Sequence, residues 1–301
     1  MQLITDAEVA QAFSMGDAID AMHEAFLQLG QGRGAVLPRQ RATAAEVTFS
    51  AMGAVLPEAG VAGAKVYTTI AGRFSFVVLL MSTRDGRPLA AIEANELTRL
   101  RTAAATAVAV RTLAREDATT LTVYGAGTQA QAHLQALAGL RRWREVLVCA
   151  RSGGEDFARQ ITQQHGLPAR SVTAEEATAR GDVIVTCTRA TDPLFDGSLV
   201  RPGTLVCAVG ASKPSARELD DRLLQSAAQL VVEWRPAALA EAGELVRAAP
   251  GVVDERRIVE LGELLAEPSR RASPQDIVVY KSVGIGLQDV ALAHRLLQRL
   301  R

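Results

Sequence analysis

Between Asp6 and Leu29 the apolar residues Val9, Phe13, Met15, Ile19, Met22, Phe26 and Leu29 return at the three- and four-residue steps of a helix with one buried stripe. Ser14 supplies a hydroxyl cap in the middle, so the stretch predicts two amphipathic helices. From Val47 the period shortens to that of strands: VTFSAMGAVL, VAGAKVYTTI and FSFVVLLMST follow one another, punctuated by Gly60, Gly63 and Gly72. In the second strand, alternation puts Lys65, Tyr67 and Thr69 on one face and Ala64, Val66 and Ile70 on the other. Asp85-Gly86 predicts a hairpin turn before PLAAIEAN, and an Ala-rich helix runs from roughly Glu96 to Leu113.

From Thr119 the pattern changes again. Short apolar runs (TLTVY, EVLVCA, a short one near SVT, DVIVTCT, TLVCAVGA, QLVVEW) alternate with helical stretches (FARQITQQHG, AEEATAR, ARELDDRLLQSA). That order predicts a Rossmann-type, doubly wound parallel sheet with helices on both faces and ligand sites at the carboxyl ends of its strands. Thr186-Cys187-Thr188 and Val209-Gly210-Ala211-Ser212 are two such ends. The last stretch, DIVVYKSVGIGLQDVALAHRLLQRL, reads as a strand and an apolar helix that crosses back to the N-terminal domain. The fold class is therefore α/β: an α+β domain over residues 1–115, completed by 281–301, and a parallel-sheet domain over 116–280.

One stretch dictates a ligand. In TLTVYGAGTQAQAHLQALAGL a strand enters Gly125-Ala126-Gly127 and leaves as a helix. Gly125 allows the turn, Gly127 lets the backbone approach a pyrophosphate, and Ala130 permits close helix-to-strand packing, while the helix N-terminus favours phosphate. After the next strand come Ala150, Arg151 and Ser152, with the first acids only at Glu155 and Asp156. An arginine and a hydroxyl there suit the extra phosphate of NADP, where an acid would suit NAD; an exposed loop arginine is the other reading.

Composition narrows the rest. The chain has 301 residues, 48% hydrophobic but only 4% aromatic, so its core is Ala, Val and Leu. Lys plus Arg and Asp plus Glu number 33 each, which leaves no net field for nucleic acid or an anionic membrane. The N-terminus lacks a basic and then apolar leader and no stretch reaches the ~18 apolar residues of a membrane span, so a cytoplasmic protein is expected. Cys149, Cys187 and Cys207 are odd in number and lack metal-ligand spacing, which predicts buried thiols, and the four scattered histidines suggest no metal site. Among the cations, Lys65 sits in an apolar strand, either as a functional group or as an edge-strand guard against aggregation. Leu37-Pro38-Arg39-Gln40-Arg41 is a basic extended piece that its composition favours as a solvated loop. Arg99 and Arg101 lie near a helix start, where a bound anion would relieve them; for Arg99 a surface arginine is the default.

With these residues laid out, the chain resembles the ornithine cyclodeaminase/mu-crystallin family, and within it the ketimine reductase branch. The blocks are GAKVY (63–67), LRTAAATA (100–107), the glycine turn, VGASKPSARELDD (209–221) and YKSVGIGLQDVALA (280–293), in order over nearly the full length. The resemblance implies a homodimer whose first part and C-terminal helix form a substrate and dimerisation domain, with the Rossmann domain between them. By motif, Lys65 is similar to the family's active-site lysine, and Arg39 and Arg101 to the cations that hold a substrate carboxylate. Arg101 and Thr102 also resemble cofactor contacts. Gly125, Ala126, Gly127, Thr128 and Gln129 would take the pyrophosphate, and Ala150, Arg151 and Ser152 the adenosine side. Thr186, Cys187, Thr188, Val209 and Ser212 would surround the nicotinamide, Ser212 also bordering the substrate.

The family's cyclodeaminases carry an aspartate where this chain has Ser212, and no counterpart of the glutamate that holds a distal amino group stands near Ser50 to Met52. The implied activity is reduction of Δ1-pyrroline-2-carboxylate or Δ1-piperideine-2-carboxylate to L-proline or L-pipecolate with NADPH, NADH being possible. Ornithine cyclodeaminase, an open-chain enzyme such as alanine dehydrogenase, and a non-catalytic NADPH-dependent binding protein are the alternatives.

Overall fold

The N-terminal periodicity becomes a short strand β1 (Gln2–Ile4) and two helices, α1 (Asp6–Ala12) and α2 (Met15–Gly30). Ser14 accepts from the Asp17 amide at 3.2 Å while the Asp17 carboxylate takes the Ser14 amide at 3.1 Å, which closes both ends of a capping box. The computed structural model describes residues 1–267 and 273–300. It divides into two compact units, Met1–Ala105 with Gly284–Arg301, and Thr106–Val283.

In the first unit β2 (Ala35–Ala44), β3 (Val47–Leu56), β4 (Val61–Ile70), β5 (Arg73–Ser82) and β6 (Pro88–Glu93) precede a long helix, α3 (Asn95–Leu113). The sheet order is β1-β6-β5-β4-β3-β2, antiparallel except for β1 beside β6. Two expectations are corrected. The basic piece around Arg39 is no loop: β2 pairs with β3 from Ala35↔Val55 to Ala44↔Val47. Its register shifts between Leu37 and Gln40, around Pro38, which lacks an amide to give; an edge strand tolerates this. Nor is Lys65 an edge-strand guard, because β4 lies between β3 and β5 and Lys65 is 1% exposed.

The second unit alternates β7 (Thr120–Tyr124), α4 (Thr128–Leu137), β8 (Glu145–Cys149), α5 (Gly154–His165), β9 (Ala169–Ser171), α6 (Ala174–Arg180) and β10 (Val183–Thr186). It continues with β11 (Leu205–Ala208), α7 (Asp221–Ser226), β12 (Ala227–Val232), α8 (Arg235–Glu241) and α9 (Gly243–Val246). β13 (Ile258–Glu260), α10 (Leu261–Ala266) and β14 (Ile277–Lys281) complete it. Every pairing is parallel, in the order β13-β12-β14-β11-β10-β7-β8-β9. Strands β7, β10 and β11 are buried almost throughout, as expected of a parallel sheet covered on both faces. The helix expected over ARELDDRLLQSA shrinks to Asp221–Ser226. Asp220 becomes its cap, accepting from Leu223 at 2.9 Å, and Glu218 is drawn into tertiary hydrogen bonds instead.

The chain then re-enters the first unit as α11 (Gly286–Arg299). A Cβ on Gly286 would stand 2.4 Å from the Cα of Gly53, and one on Gly63 3.2 Å from Val290, so glycines let α11 lie directly on β3 and β4. No helix among the described residues is long and apolar enough to cross a membrane.

His133 of α4 is fully buried; its Nδ1 donates to the Gln129 carbonyl at 2.7 Å and its Nε2 accepts from the Thr106 hydroxyl at 3.0 Å. Burial lowers its pKa from 6.5 to about 4. Unfolded, the imidazole protonates near its ordinary value while the folded one stays neutral. Its contribution is therefore intact above that value and falls by about 3 kcal/mol as the pH drops toward the folded one. Urea unfolding should show this decline on acidification, and His133→Gln should flatten it; an unchanged slope in the variant would assign the acid sensitivity to other groups.

Candidate functional site

Alternation along β4 turns Lys65 toward the face covered by α3 and α11. There its Nζ donates to Thr98 Oγ1 at 2.9 Å and pairs with Asp289 Oδ1 at 3.1 Å. Arg101 reaches the same oxygen, Nε to Oδ1 at 3.3 Å, and donates through a terminal nitrogen to Gln288 Oε1 at 2.6 Å. Arg39, on β2, donates to the Gly284 carbonyl at 2.8 Å. The Phe76 ring lies 4.4 Å from Lys65 Nζ and the Tyr67 ring 5.8 Å, and buried Met52 stands directly opposite Lys65 on β3. Lys65 and Arg101 therefore share one buried carboxylate oxygen, with Arg39 near enough to act on Lys65 and apolar side chains beside them.

Burial is the largest influence on Lys65. It outweighs the Asp289 charge and is reinforced by Arg101 and Arg39, and together these bring the lysine from 10.5 to about 7. Such a group can give up a proton near neutrality, and the surplus of positive charge suits an anion. Arg99 is paired with Glu96 at 2.5 Å as a partly exposed couple. The Thr102 hydroxyl donates to the Thr98 carbonyl at 2.7 Å. Asp289, Gln288 and Thr98 were not singled out by the sequence reading. The available signal was an acid inside the apolar helical run QDVALA.

In the second unit the chain winds from β7 toward β8 and β9 on one side and toward β10 and β11 on the other, which opens a crevice between β7 and β10. Gly125, at φ +107°, occupies it: a Cβ there would lie 2.9 Å from the Cys187 carbonyl oxygen. Its amide donates to Cys149 O at 2.8 Å, and that of Cys187 to Tyr124 O at 2.8 Å. A Cβ on Gly127, the residue capping α4, would meet nothing within 4 Å, so space is open before the helix N-terminus. Thr128 is exposed, Ala126 and Gln129 are half-buried, and Ala130 is fully buried. Past β8, Ala150 is half-buried while Arg151 and Ser152 are exposed. A Cβ on Gly153 would stand 3.9 Å from the Ala126 side chain, so this turn lies beside the glycine turn. These features fit a dinucleotide: a backbone cradle, a helix N-terminus and an arginine at its rim.

The loops beyond β10 and β11 share one anchor. Glu218 accepts from Thr186 Oγ1 at 2.7 Å, Thr188 N at 2.9 Å, Thr188 Oγ1 at 2.7 Å and Gly210 N at 2.7 Å. Its own amide donates to Glu244, which pairs with Lys281 at 3.0 Å, and Lys281 donates to the Ala211 carbonyl at 2.7 Å, next to Ser212. Val209 is tied to the Thr186 carbonyl at 3.0 Å. Glu218, Glu244 and Lys281 also went unmarked in the sequence, although Glu218 lies within the VGASKPSARELDD block. All three thiols are free; Cys207 is fully buried, while Cys149 and Cys187 are half-buried rather than fully enclosed. Burial and the nearby Glu218 push the Cys187 thiol well above its ordinary range, which keeps it protonated.

The residues expected in the sites thus fall into two groups: Arg39, Lys65, Arg101 and Thr102 in the first unit, and the glycine turn, the Ala150–Ser152 turn, Thr186–Thr188, Val209 and Ser212 in the second. Against known proteins, a structure described as a probable ornithine cyclodeaminase from Bordetella pertussis Tohama I is 45% identical with a TM-score of 0.96, covering 100% of this chain and 97% of that one. The Thermococcus litoralis Δ1-pyrroline-2-carboxylate reductase, solved with NADH and L-proline, is 29% identical with a TM-score of 0.93, covering 99% and 97%. A Δ1-pyrroline-2-carboxylate reductase of Bacillus cereus is 35% identical over 229 residues, 74% of this chain and 70% of the relative. The family-level match runs over residues 1–301, and the chain belongs to the ornithine cyclodeaminase/mu-crystallin family.

Proposed function

We propose that the protein reduces a cyclic ketimine carboxylate, Δ1-pyrroline-2-carboxylate or Δ1-piperideine-2-carboxylate, to L-proline or L-pipecolate. Its class, an NAD(P)H-dependent oxidoreductase acting on C–N bonds, follows from its family and from the T. litoralis reductase with NADH. The observation that carries the substrate reading is the charge pattern around Lys65. Arg39, Arg101 and Lys65 outnumber the single acid, Asp289, which is engaged by two of them. The surplus suits one carboxylate, and the neighbours Met52, Tyr67 and Phe76 suit an uncharged ring rather than a cationic side chain.

The glycine turn, Gly125 to Gln129, would hold NAD(P)H, whose chemistry is to supply a hydride with its electron pair to an imine carbon. Arg39 and Arg101 hold the carboxylate and fix the ring. As the C=N pair moves onto nitrogen, Lys65 Nζ gives that nitrogen a proton, while Thr98 and Asp289 keep Nζ aimed. Arg151 and Ser152 would receive the phosphate that distinguishes NADPH, with NADH as a possible second donor. The likeness to a probable ornithine cyclodeaminase supports a second reading, but that chemistry needs a base, and Ser212 remains an uncharged hydroxyl near neutral pH.

NADPH oxidation with the two cyclic imines, run beside ornithine with NAD and pyruvate with ammonia, tests the proposal; silence on the imines with turnover of either other mixture would sink it. Lys65→Met should lower turnover on the imines by about 10²-fold or more while NADPH still binds. Lys65 must be protonated to act, so kcat/KM should hold below its folded pKa of about 7 and decline above it; a profile flat through alkaline pH would deny it this role.

Arg151→Ala should raise the KM for NADPH about tenfold and leave that for NADH in place. An unmoved NADPH value would mean that another group reads the phosphate.

The homodimer rests on the sheet face opposite Lys65. Phe49, Val55, Ile70, Val77, Leu79 and Met81 share that face by register and are 36% to 49% exposed, an apolar surface suited to a second copy. Light scattering should give a dimer for the native protein and a monomer for Leu79→Glu; a native monomer at micromolar concentration would refute the homodimer.

A further inference from the structure

Asp289 has no role in the reaction as described beyond aiming Nζ, yet its surroundings are unusual. It sits in the first turn of α11, where the helix N-terminus favours an anion, and it is fully buried. Oδ1 serves both Lys65 Nζ at 3.1 Å and Arg101 Nε at 3.3 Å, whereas Oδ2 is buried with no hydrogen-bond partner among the described residues. A buried carboxylate with one orphan oxygen costs several kcal/mol to desolvate, so its attraction to the two cations must offset that cost.

Among the described residues, these groups are placed against Lys65. Asp289 comes from α11; Arg101 and Thr98 from α3; Arg39 from β2; Met52 from β3; Phe76 from β5; Tyr67 from β4 itself. Asp289 is the one negative charge among these described neighbours. Removing it would leave Lys65 buried beside two arginines.

We propose that Asp289 is the positioning residue of this site: its Oδ1 spaces Lys65 from Arg101, and its charge keeps Lys65 protonated so that the lysine can supply the nitrogen with its proton. The chemistry rests on the ketimine-reductase reading, but the charge relation does not. Gln288 shares the task by holding Arg101 and by accepting from the Ile285 amide at 3.3 Å, which fixes the start of α11.

The chain contains only three lysines, Lys65, Lys213 and Lys281, so isotope-labelled lysine gives three side-chain NMR signals, and Lys65→Met identifies the one that matters. In the native protein this signal should titrate near 7. In Asp289→Asn it should titrate at least about one unit lower, the effect of losing an opposite charge at contact distance, and the basic limb of kcat/KM should move down with it. A titration and a limb that both stay in place would overturn the proposal. If Asp289→Asn does not fold, Asp289→Glu carries the test. With the charge kept, the Lys65 titration should stay within about half a unit while kcat falls, and a shift of a full unit or more would show that packing, not charge, sets the lysine. The NMR titration needs no substrate. A response there with no turnover of either imine would leave Asp289 in its role and refute the ketimine reading alone.

Discussion

A lysine and an arginine that meet on one buried carboxylate oxygen constrain the whole first unit. The three side chains come from β4, α3 and α11, which are far apart in sequence, and none can be placed without the other two. Two cations at such distance and burial would repel strongly in the absence of Asp289. The return of the chain as α11 is therefore an electrostatic requirement as well as a packing one. Gly53, Gly63 and Gly286 meet it, because only residues without a Cβ let that helix lie close enough for its first turn to reach the lysine.

The second unit solves a similar problem with Glu218. The carboxyl ends of β10 and β11 are loops, whose amides and hydroxyls find no partners in the sheet. One carboxylate takes four of these donors, while the backbone amide of the same residue donates to Glu244, which pairs with Lys281. Charge-assisted bonds of this kind stiffen a loop far more than solvent contacts would, and stiff loops at strand ends are what a bound dinucleotide meets.

What was legible in the sequence follows from the range of the forces involved. Strands β3 and β4 and the two N-terminal helices appear with their boundaries because alternation, helical spacing and caps are local signals. The glycine turn is equally local. β2 was hidden because Pro38 and a polar, exposed edge give it the composition of a loop, and its pairing with β3 is what makes it a strand. The overlong helix around Glu218 erred for the opposite reason: residues with good helical propensity were claimed by tertiary hydrogen bonds. Lys65 stood out as a charge in an apolar strand. Asp289 carried the same kind of signal in α11 but gained its meaning only from the partner it meets.

Overall charge conceals this site. Acids and bases are equal in number over the chain, so nothing in the far field would draw an anion in. In the proposed reaction selectivity has to be local, because burial removes the water that would screen Lys65 and Arg101, with half-buried Arg39 beside them, from a ligand. In that setting a carboxylate is favoured and a second positive charge is penalised, whereas an uncharged ring against Tyr67 and Phe76 costs nothing electrostatically. The same dehydration lowers the lysine toward neutrality, so in the proposed reaction one feature, burial of a cationic cluster beside a single acid, would both select the anion and prepare the proton.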